Sequence, residues 1–515
     1  MKIPINRIRT AGQSHFKERD FCLSNTSSSR SAIILKILGV VAFFTYFFCA
    51  SFICVILVSL SILPFKYFAI LIITLLLLTV FFGFITIRKP KKIKKLTKIL
   101  KIIVIVLEII FSAIFIIAFS YLNHTMNFMD SIRATEYQID NYSVLVKKDS
   151  KFKVIEDLHY GTIATYDDNS QSYNSALEKL TEKIKFKQNQ KENLGDAVKS
   201  IITNESDALL IKSSLTDLAF EIFDDFNSED YINLYTITIE TKVAKTESAD
   251  IDATRDSFNI YISGIDTNGN IATVSRSDVN MIVTVNPRTH AILLTSIPRD
   301  YYVQLHGTAG LKDKLTHSGL YGINMTIDTV QDFLNVRIDY YVRVNFDSTV
   351  NLIDALDGID IIPDTTFIAP AYDHYCYYTA NTTNHLDGSC ALAYARERKV
   401  YGTGDLHRIQ NQQDVIMAII NKLTSSRVIL TKYTEILSSM SGTLETNIPS
   451  SDIYSIVNLQ LDSMPSWTIE RVSLEGEHID APTYTISDQY LFVFVPDETS
   501  VTTVSEKIKS VMDAN

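Results

Sequence analysis

Several residue patterns that mark common catalytic and metal-binding sites are missing from this chain of 515 residues. It has no CxxC or HExxH motif and no zinc-spaced His/Cys cluster, which excludes the usual zinc sites. It also has no Walker phosphate loop and no GxSxG nucleophile elbow. The stretch GTGDLH at Gly402 approaches a dinucleotide-binding loop but does not follow a βαβ strand. We interpret the scattered histidines His317, His385 and His407 as polar loop residues rather than ligands.

Cysteine is scarce, with five residues in the chain. Cys22, Cys49 and Cys54 lie in the N-terminal tail or the first apolar run, and Cys376 and Cys390 lie far downstream. In an exported region the downstream pair could close a disulfide, and two unpaired thiols are the alternative.

Acidic residues are almost absent from the first fifth of the chain. Residues 1–101 contain 16 Lys and Arg against 2 Asp and Glu, whereas the whole chain has a net charge of −10. The remainder therefore carries a net charge of −24. Nucleic-acid binding needs a basic surface, and the sequence has no helix-turn-helix or zinc-finger pattern. We therefore predict that nucleic acid is not a partner.

Three long apolar runs follow one another at residues 37–63, 67–87 and 102–122. Each can cross a hydrocarbon core of about 30 Å, and their succession argues against a cleaved signal peptide. The tail at 1–36 and the basic loop at 88–101 should face the cytoplasm, because basic residues stay inside. This orientation predicts a multi-pass protein of the cell membrane with its larger, C-terminal part outside the cell.

The exterior part divides by composition into three stretches. Residues 123–140 are predicted to be a linker, and 141–250 a small α/β accessory domain without an obvious catalytic constellation. Residues 257–515 alternate strand and helix patterns, which predicts a mixed sheet covered by helices. The fold class is therefore α/β, preceded by three transmembrane helices.

Charged side chains recur where strands of the last domain begin or end. The apolar strand FNIYISGI leads into Asp266, and Arg276 and Asp278 enter the next strand. Arg299 and Asp300 follow the strand AILLTS. Charged residues at strand ends of an open sheet crowd into one crevice, so these segments are predicted to form one site.

The run RERKVYGTGDLHRIQNQQ concentrates polar residues in a turn and a helix that begins at Asp405. Arg408 and Gln412 are four residues apart and share a helix face. Together with Arg396 and Arg398, Arg408 lies near the start of this helix, where a phosphate is favoured. A solvated basic helix start with salt bridges is the alternative. An apolar stripe on the same helix is predicted to pack inward: Ile409, Ile416, Ile420 and Leu423.

Taken together, these motifs resemble the LytR-CpsA-Psr (LCP) family. The matching segments, in the family's order between 258 and 423, are GID, RSD, IPRD, KLTHSGLYG, IDYYVRVNFDSTVNLIDALDGIDI, HLDGSCALAYARER and GDLHRIQNQQ. Members transfer glycopolymers from a polyprenyl-pyrophosphate carrier to peptidoglycan. The resemblance, which extends to capsule-associated members, implies a membrane-anchored transferase of capsular or wall polysaccharide. Its implied partners are the lipid-linked glycan, peptidoglycan and capsule synthesis proteins.

Displacing a pyrophosphate leaving group requires positive charge in a fixed geometry. The residues predicted to be catalytic are Arg299, Arg396, Arg398, Asp405, Arg408 and Gln412, with Arg276 and Lys314 as substrate-binding helpers. Asp405 would orient an arginine or accept the proton of the attacking hydroxyl. By the resemblance, Asp266 and Asp278 are ligands of Mg²⁺, which commonly combines one or two carboxylates with phosphate oxygens.

Some alternatives stay open at this level. The aliphatic helices predicted at 325–334 and 350–356 would either line a pocket for the polyprenyl chain or pack in the core. A non-catalytic, membrane-tethered regulator or sensor of capsule synthesis would bind the lipid-linked glycan without turnover. A lipid pyrophosphate hydrolase would use water in place of a sugar hydroxyl.

Overall fold

A computed structural model describes residues 9–60, 65–87, 95–166, 168, 170–244, 246–265, 267, 269–401, 405–425, 433–463 and 465–515. For residues 9–32, 59–60, 95, 405–406, 424–425, 433–434 and 461–463 it describes the backbone alone. The chain divides into two compact units, Met1–Thr125 and Met126–Asn515.

The described part of the first unit is built from long apolar helices. They are α1 (Arg9–Leu60), α2 (Phe65–Ile87) and α3 (Lys95–Ser131), the last of which continues past the unit's end. The segments long and apolar enough to cross a membrane are Ile33–Val58, Phe65–Ile87 and Leu96–Ser131, in agreement with the three predicted spans. Aromatic rings join the helices: the Tyr46 ring lies 5.2 Å from Phe82 and 6.3 Å from Phe111.

The linker predicted at 123–140 is wrong. Helix α3 continues to Ser131, and the first strand begins at Tyr137. The residues before Ser131 contain no glycine or proline that would end a helix. Phe128 on this extension also packs in a cluster with Leu437, so apolar burial stabilises the added turns.

A first α/β layer opens the second unit. Its strands are β1 (Tyr137–Lys147), β2 (Thr162–Tyr166), β3 (Lys187–Lys191), β4 (Ala208–Lys212) and β5 (Tyr231–Lys242), and its helices are α4 (Gln171–Lys183), α5 (Leu194–Ile202) and α6 (Ser213–Ile222). The strand order is β3-β2-β4-β1-β5, with β2 parallel to β3 and β4. Every residue of β4 is buried, as expected for a strand covered on both faces.

A second α/β layer follows. Its strands are β6 (Phe258–Ile265), β7 (Ser277–Asn286), β8 (Ala291–Ser296), β9 (Tyr302–Val303), β10 (Asp313–Lys314), β11 (Tyr340–Val344), β12 (Ile359–Ile361), β13 (Phe367–Pro370), β14 (Tyr375–Tyr378), β15 (Asn384–Leu386), β16 (Leu444–Thr446), β17 (Thr468–Ser473), β18 (Gly476–Ala481) and β19 (Leu491–Pro496). Its helices are α7 (Leu315–Ser318), α8 (Ile323–Leu334), α9 (Phe346–Ala355), α10 (Gly388–Arg396), α11 (Asp405–Ser425), α12 (Tyr433–Met440), α13 (Ser450–Ser463) and α14 (Glu498–Asp513).

The main sheet of this layer is mixed, as predicted. Its described strands run in the order β16-β11-β6-β7-β8-β17, with β6–β11 and β8–β17 parallel and the other pairs antiparallel. One face packs on α8 and α14 through a cluster that includes Tyr261, Val330 and Ile508. The other face meets α11 through Met281 and Ile416. Helices therefore cover both faces, and the second face also holds the site described below.

The two exterior cysteines form a disulfide. Cys376 on β14 and Cys390 on α10 have their sulfur atoms 2.01 Å apart. Of the two alternatives left by the sequence, the disulfide is the one present. It ties the β13–β14 hairpin to the helix that ends at Arg396.

Candidate active site

The ends of adjacent strands bring several predicted site residues together. Arg276 precedes β7 and Asp278 is its second residue, while Arg299 lies three residues after the end of β8. Because β7 and β8 are antiparallel neighbours, the start of one lies beside the end of the other. The arginines and the aspartate therefore meet at one edge of the sheet, as the motif positions predicted.

The end of β6 lies against the same part of β7, and a glycine makes this approach possible. A Cβ atom placed on Gly264 would lie 2.7 Å from the Cβ of Val279, so a larger residue there would displace the strand. The pairing register shifts between Gly264 and Ile265, which marks a bulge at the strand end. Asp266, the first predicted metal ligand, lies outside the described residues.

Asp278 is held by two donors. Its Oδ2 accepts a hydrogen bond of 2.7 Å from Arg299 Nη1, and its Oδ1 accepts one of 2.9 Å from Thr316 on α7. Burial disfavours the charged carboxylate, but the positive charges of Arg299 and Arg276 outweigh it and keep the pKa of Asp278 below its ordinary value. Asp278 is therefore an ionised group fixed within a cationic environment.

Lys314, which is predicted to bind substrate, forms an ion pair with a nearby acid. Its ammonium lies 3.1 Å from Oδ1 of Asp300, and the residue does not line the cavity described below. Asp300 also lies 3.7 Å from Arg299 Nε, so it pairs with both cations. Lys314 is thus charge-compensated by a neighbouring acid, and its role in binding substrate stays a prediction.

Helix α11 contributes the second group of polar residues. Arg408 is 8% exposed, and Gln412 lies one turn further along the same helix face, as predicted. The Asn411 side chain donates a 3.0 Å hydrogen bond to the carbonyl of Tyr394, which fixes α11 against α10. Asp405 is the first residue of α11, and its side chain lies outside the described part.

Arg396 and Arg398 belong to the elements that precede α11. Arg396 lies in the last turn of α10, and Arg398 follows in an exposed loop. The helix ends there because Glu397 Oε1 accepts hydrogen bonds from the backbone N–H groups of Arg398, Lys399 and Val400. The positive end of the α11 dipole would favour a phosphate near Arg408, whereas Arg396 and Arg398 come from the preceding helix and loop.

One cavity of about 710 Å³ unites most of the predicted residues. Its polar lining consists mainly of Arg276, Asp278, Arg299, Arg396, Arg398, Arg408 and Gln412. The guanidinium of Arg396 also lies 4.4 Å from the centre of the Phe346 ring, a cation–π contact within the cavity wall. The remaining lining is largely aliphatic. This cavity therefore combines an arginine-rich end with a long apolar body.

The apolar wall includes strand residues that the sequence analysis did not assign. Ile260 and Ile262 of β6 and Val342 and Val344 of β11 line the cavity. The intervening Tyr261 is buried in the core on the opposite face. Apolar residues at alternate positions of neighbouring strands are the signal that could have located this wall.

The predicted lipid-pocket helices behave differently from each other. Helix α8, predicted as 325–334, packs Ile327 and Val330 into the core on the face opposite the cavity. Of the two alternatives for this helix, core packing is therefore the one observed. Helix α9 contributes Leu352 to the cavity. The stripe predicted on α11 also points inward, and its members in the cavity wall are Ile416, Ile420 and Leu423.

The histidines interpreted as polar loop residues lie in regular elements instead. His317 is buried on α7, with its Nδ1 2.7 Å from Oδ1 of Asp313. The chain here packs closely, because a Cβ on Gly319, just after α7, would lie 2.5 Å from the carbonyl of Ser275, just before β7. The other two are in β15 and α11: His385 and His407.

Comparison with known proteins identifies relatives over the second part of the chain. The model of the LytR_cpsA_psr family matches residues 230–510. The curated protein "Polyisoprenyl-teichoic acid--peptidoglycan teichoic acid transferase TagU" of Bacillus licheniformis is 32% identical over 270 residues, which cover 52% of this chain and 82% of that protein. TagU of Bacillus subtilis is 35% identical over 223 residues, covering 42% of this chain and 70% of TagU.

Among solved structures, the crystal structure of B. subtilis TagV is 30% identical, covers 51% of this chain and 99% of TagV, and has a TM-score of 0.41. TagT bound to LI-WTA is 26% identical, covers 52% of this chain and 94% of TagT, and also has a TM-score of 0.41. The family match spans more than half of the chain, and the TagU proteins are covered over most of their length. The chain therefore belongs to the LytR-CpsA-Psr family.

Proposed function

We propose that this chain transfers a capsular or wall glycopolymer from a polyprenyl-pyrophosphate carrier to peptidoglycan by phosphoryl transfer. The observation that carries the proposal is the cavity of about 710 Å³ with an arginine-rich end and an aliphatic body. A lipid pyrophosphate matches both parts, because its diphosphate is anionic and its chain is apolar. The names of the TagU relatives, teichoic acid transferases that act on polyisoprenyl-linked substrates, support the same class of reaction.

The arginines are suited to the pyrophosphate. Guanidinium groups form charge-assisted, paired hydrogen bonds to phosphate oxygens. Arg276 and Arg408 are largely buried, and Arg299 is fixed by Asp278, so their donors are held in place before substrate arrives. Pre-organised cations of this kind stabilise charge that develops on the leaving group. Arg396 and Arg398 complete the cluster from its exposed side.

The proposed reaction is a displacement at the glycan-side phosphorus. The oxygen of a peptidoglycan hydroxyl bonds to this phosphorus, and the bond from phosphorus to the bridging oxygen breaks. Polyprenyl phosphate leaves with the bridging oxygen, and the hydroxyl proton passes to a base. Asp278 is a poor base because neighbouring arginines lower its pKa. Asp405 therefore stays the predicted proton acceptor or arginine-orienting group.

The donor set at the polar end fits a magnesium ion in part. An ionised carboxylate offers about four lone-pair sites, and Arg299 and Thr316 use two of those on Asp278. Asp278, together with Asp266 as predicted, would hold the cation with oxygens of the diphosphate. Bound Mg²⁺ would neutralise part of the phosphate charge. Asp278 also orients Arg299, whether or not the cation is bound.

The location proposed for this reaction is the outer face of the cell membrane. The apolar helices α1 to α3 supply the anchor. The disulfide between Cys376 and Cys390 supports an exported second unit, because disulfides persist mainly in oxidising compartments. Capsule synthesis proteins remain proposed partners of the anchored enzyme.

A transfer assay tests this proposal against its two alternatives. The full chain in lipid nanodiscs is incubated with polyprenyl-pyrophosphate-linked glycan, peptidoglycan and Mg²⁺. We expect glycan attached to peptidoglycan and an equal amount of polyprenyl phosphate. Binding without any product would favour the sensor. Free glycan phosphate formed without peptidoglycan, at the same rate as with it, would favour the hydrolase.

A further inference from the structure

A second cavity of about 470 Å³ adjoins the arginine end of the first. Both cavities are lined by Leu392, Arg396 and Arg398, so this cation pair forms their common wall. The opposite wall of the second cavity is formed by the end of β13 and the loop after it, residues 369–372. A ligand held at the arginines can therefore extend in two directions.

The cationic side of the second cavity is built by one loop. Glu397 Oε1 accepts three backbone hydrogen bonds, from residue 398 at 2.9 Å, residue 399 at 2.6 Å and residue 400 at 3.2 Å. This acid is therefore engaged in shaping the loop. Arg398 and Lys399 are exposed on that loop and line the cavity. Glu397 also lines the cavity, but Arg396, Arg398 and Lys399 outnumber it, so this wall is basic and suits anionic groups.

The opposite side carries exposed tyrosines. Tyr372 lines the second cavity and is 62% exposed. Pro370, in the same wall, pairs across the hairpin with Tyr375, which is 66% exposed, and Tyr377 is 71% exposed on the same strand. Directly paired residues share a face, as do residues two apart in a strand. The aromatic surface therefore continues from the cavity wall along the outside of the hairpin.

The hairpin is held rigidly relative to the arginines. Its inner face stacks Phe367 on Tyr378 with ring centres 4.3 Å apart, and Tyr378 Oη donates a 2.7 Å hydrogen bond to the Cys390 carbonyl. The disulfide between Cys376 and Cys390 adds a covalent link to α10. Because α10 ends at Arg396, the spacing between tyrosines and arginines is fixed.

We propose that Tyr372, Tyr375 and Tyr377, with the basic loop at Arg398 and Lys399, bind the sugars of the donor that adjoin the pyrophosphate. This inference rests on the proposed function. In the donor, the diphosphate joins the lipid on one side and the glycan on the other. With the lipid in the apolar cavity, the glycan leaves the arginines toward the second cavity. Tyrosine rings offer flat amphipathic surfaces for pyranose rings, and the basic loop selects a glycan with anionic groups.

The test compares two donor analogues on the full chain in nanodiscs: polyprenyl pyrophosphate without sugar, and the same lipid bearing an anionic oligosaccharide. The variant replaces all three tyrosines (Tyr372→Ala, Tyr375→Ala and Tyr377→Ala). We expect its Kd for the sugar-bearing analogue to rise about tenfold. Its Kd for the sugar-free analogue should stay within about twofold. Tyr490→Ala, which removes another exposed tyrosine, is the matched control and should change neither value.

Three results would overturn the inference. They are an unchanged Kd for the sugar-bearing analogue, an equal rise for both analogues, or a loss of affinity for soluble peptidoglycan fragments alone, which would assign the surface to the acceptor. Circular dichroism checks that the variant is folded, and a single replacement of Tyr377 serves if the triple variant is not. This test measures only binding. Its result can therefore be interpreted even if the transfer assay detects no product.

Discussion

Arg408 and Arg396 belong to the same proposed phosphate clamp but differ in their surroundings. Arg408 is buried, whereas Arg396 is exposed and rests on Phe346. Lysine retains the charge but loses the planar fork, and a buried site cannot readjust to it. We expect Arg408→Lys to lower the transfer rate about 100-fold and Arg396→Lys about tenfold. Initial rates measure this, with exposed Arg288→Lys as control, and equal losses at both sites would contradict it.

Asp278 gives a second prediction at this scale. Asp278→Asn keeps an acceptor for Thr316 but removes the charge that orients Arg299. We expect the transfer rate to fall about 100-fold, with a weaker response to Mg²⁺. The exposed Asp360→Asn is the control. A variant with normal rate and normal Mg²⁺ response would rule out both proposed roles of Asp278.

The pH dependence of Asp278 has a definite sign. Its pKa is lowered in the folded protein, so its ionised form stabilises the fold above its unfolded-state pKa of about 3.9. This contribution is lost as the pH falls through the lower, folded-state pKa. Any loss of activity between about pH 5 and pH 7 therefore belongs to another group. In a plot of the free energy of unfolding against pH, Asp278→Asn should reduce the loss of stability at acidic pH. It should leave the pH dependence near neutral pH unchanged.

The sequence located most residues of the polar site but not all of their environments. Arg276, Asp278, Arg299 and Arg408 could be predicted because strand ends and helix faces follow from local patterns. The position of Lys314 depends on its pairing with an acid in another loop, which local patterns do not encode. The end of α10 likewise depends on the hydrogen bonds of Glu397, which a run of charged residues does not reveal.

At the scale of elements, the first α/β layer is connected to the proposed site through α7. Lys212, at the end of β4, has its Nζ 2.7 Å from Oδ1 of Asp140 and donates a 3.0 Å hydrogen bond to the carbonyl of Leu320. Leu320 itself packs in the core of the first layer. The preceding helix α7 carries Thr316, which donates to Asp278. Lys212 is therefore a positioning residue for the segment that supports Asp278.

This connection predicts a combined effect on stability and catalysis. Lys212→Met leaves Asp140 buried without its cation and should lower the free energy of unfolding by about 3 kcal/mol. Transfer at a temperature where the variant is folded should show a reduced kcat, because Thr316 is less well positioned. Lys191→Met, which breaks a partly exposed pair with Glu205, should cost about 1 kcal/mol or less.

A second variant separates the two effects of Lys212. Combining Lys212→Met with Asp140→Leu removes both charges and should recover part of the lost stability. The Leu320 carbonyl still lacks its donor in this double variant, so kcat should stay low. If kcat recovers together with stability, the connection to Thr316 is not functional.

Helix and strand types were easier to predict than the faces they bury. The helices α8 and α9 have similar aliphatic content, yet α8 packs in the core while α9 lines the cavity. Which face of a sheet a helix covers is decided by chain topology, and amphipathic periodicity gives only the width of the apolar stripe. The wall formed by Val342 and Val344 was missed for the same reason, since alternation in β11 groups these valines on one face but does not show what covers that face.

For the whole molecule, the two α/β layers share one compact unit, Met126–Asn515. The sequence divided this region at a polar stretch near residue 250, because composition changes there. Contacts such as that between Lys212 and Leu320 join residues 108 apart in the chain. Composition and periodicity carry no information about such long-range packing, so an accessory layer that supports the site was beyond a sequence-based prediction.

The uneven charge of the chain predicts its orientation in the membrane. The basic residues of 1–101 flank the apolar spans, while the rest of the chain is strongly acidic. Alkaline phosphatase fused after Asn515 should therefore be active and green fluorescent protein at the same position dark. The reverse pattern is expected for fusions after Lys101, the matched control at the end of the basic loop. Fluorescence of the protein fused after Asn515 would place Cys376 and Cys390 in the reducing cytoplasm. The proposed site would then have no access to peptidoglycan, and the proposed reaction would be excluded.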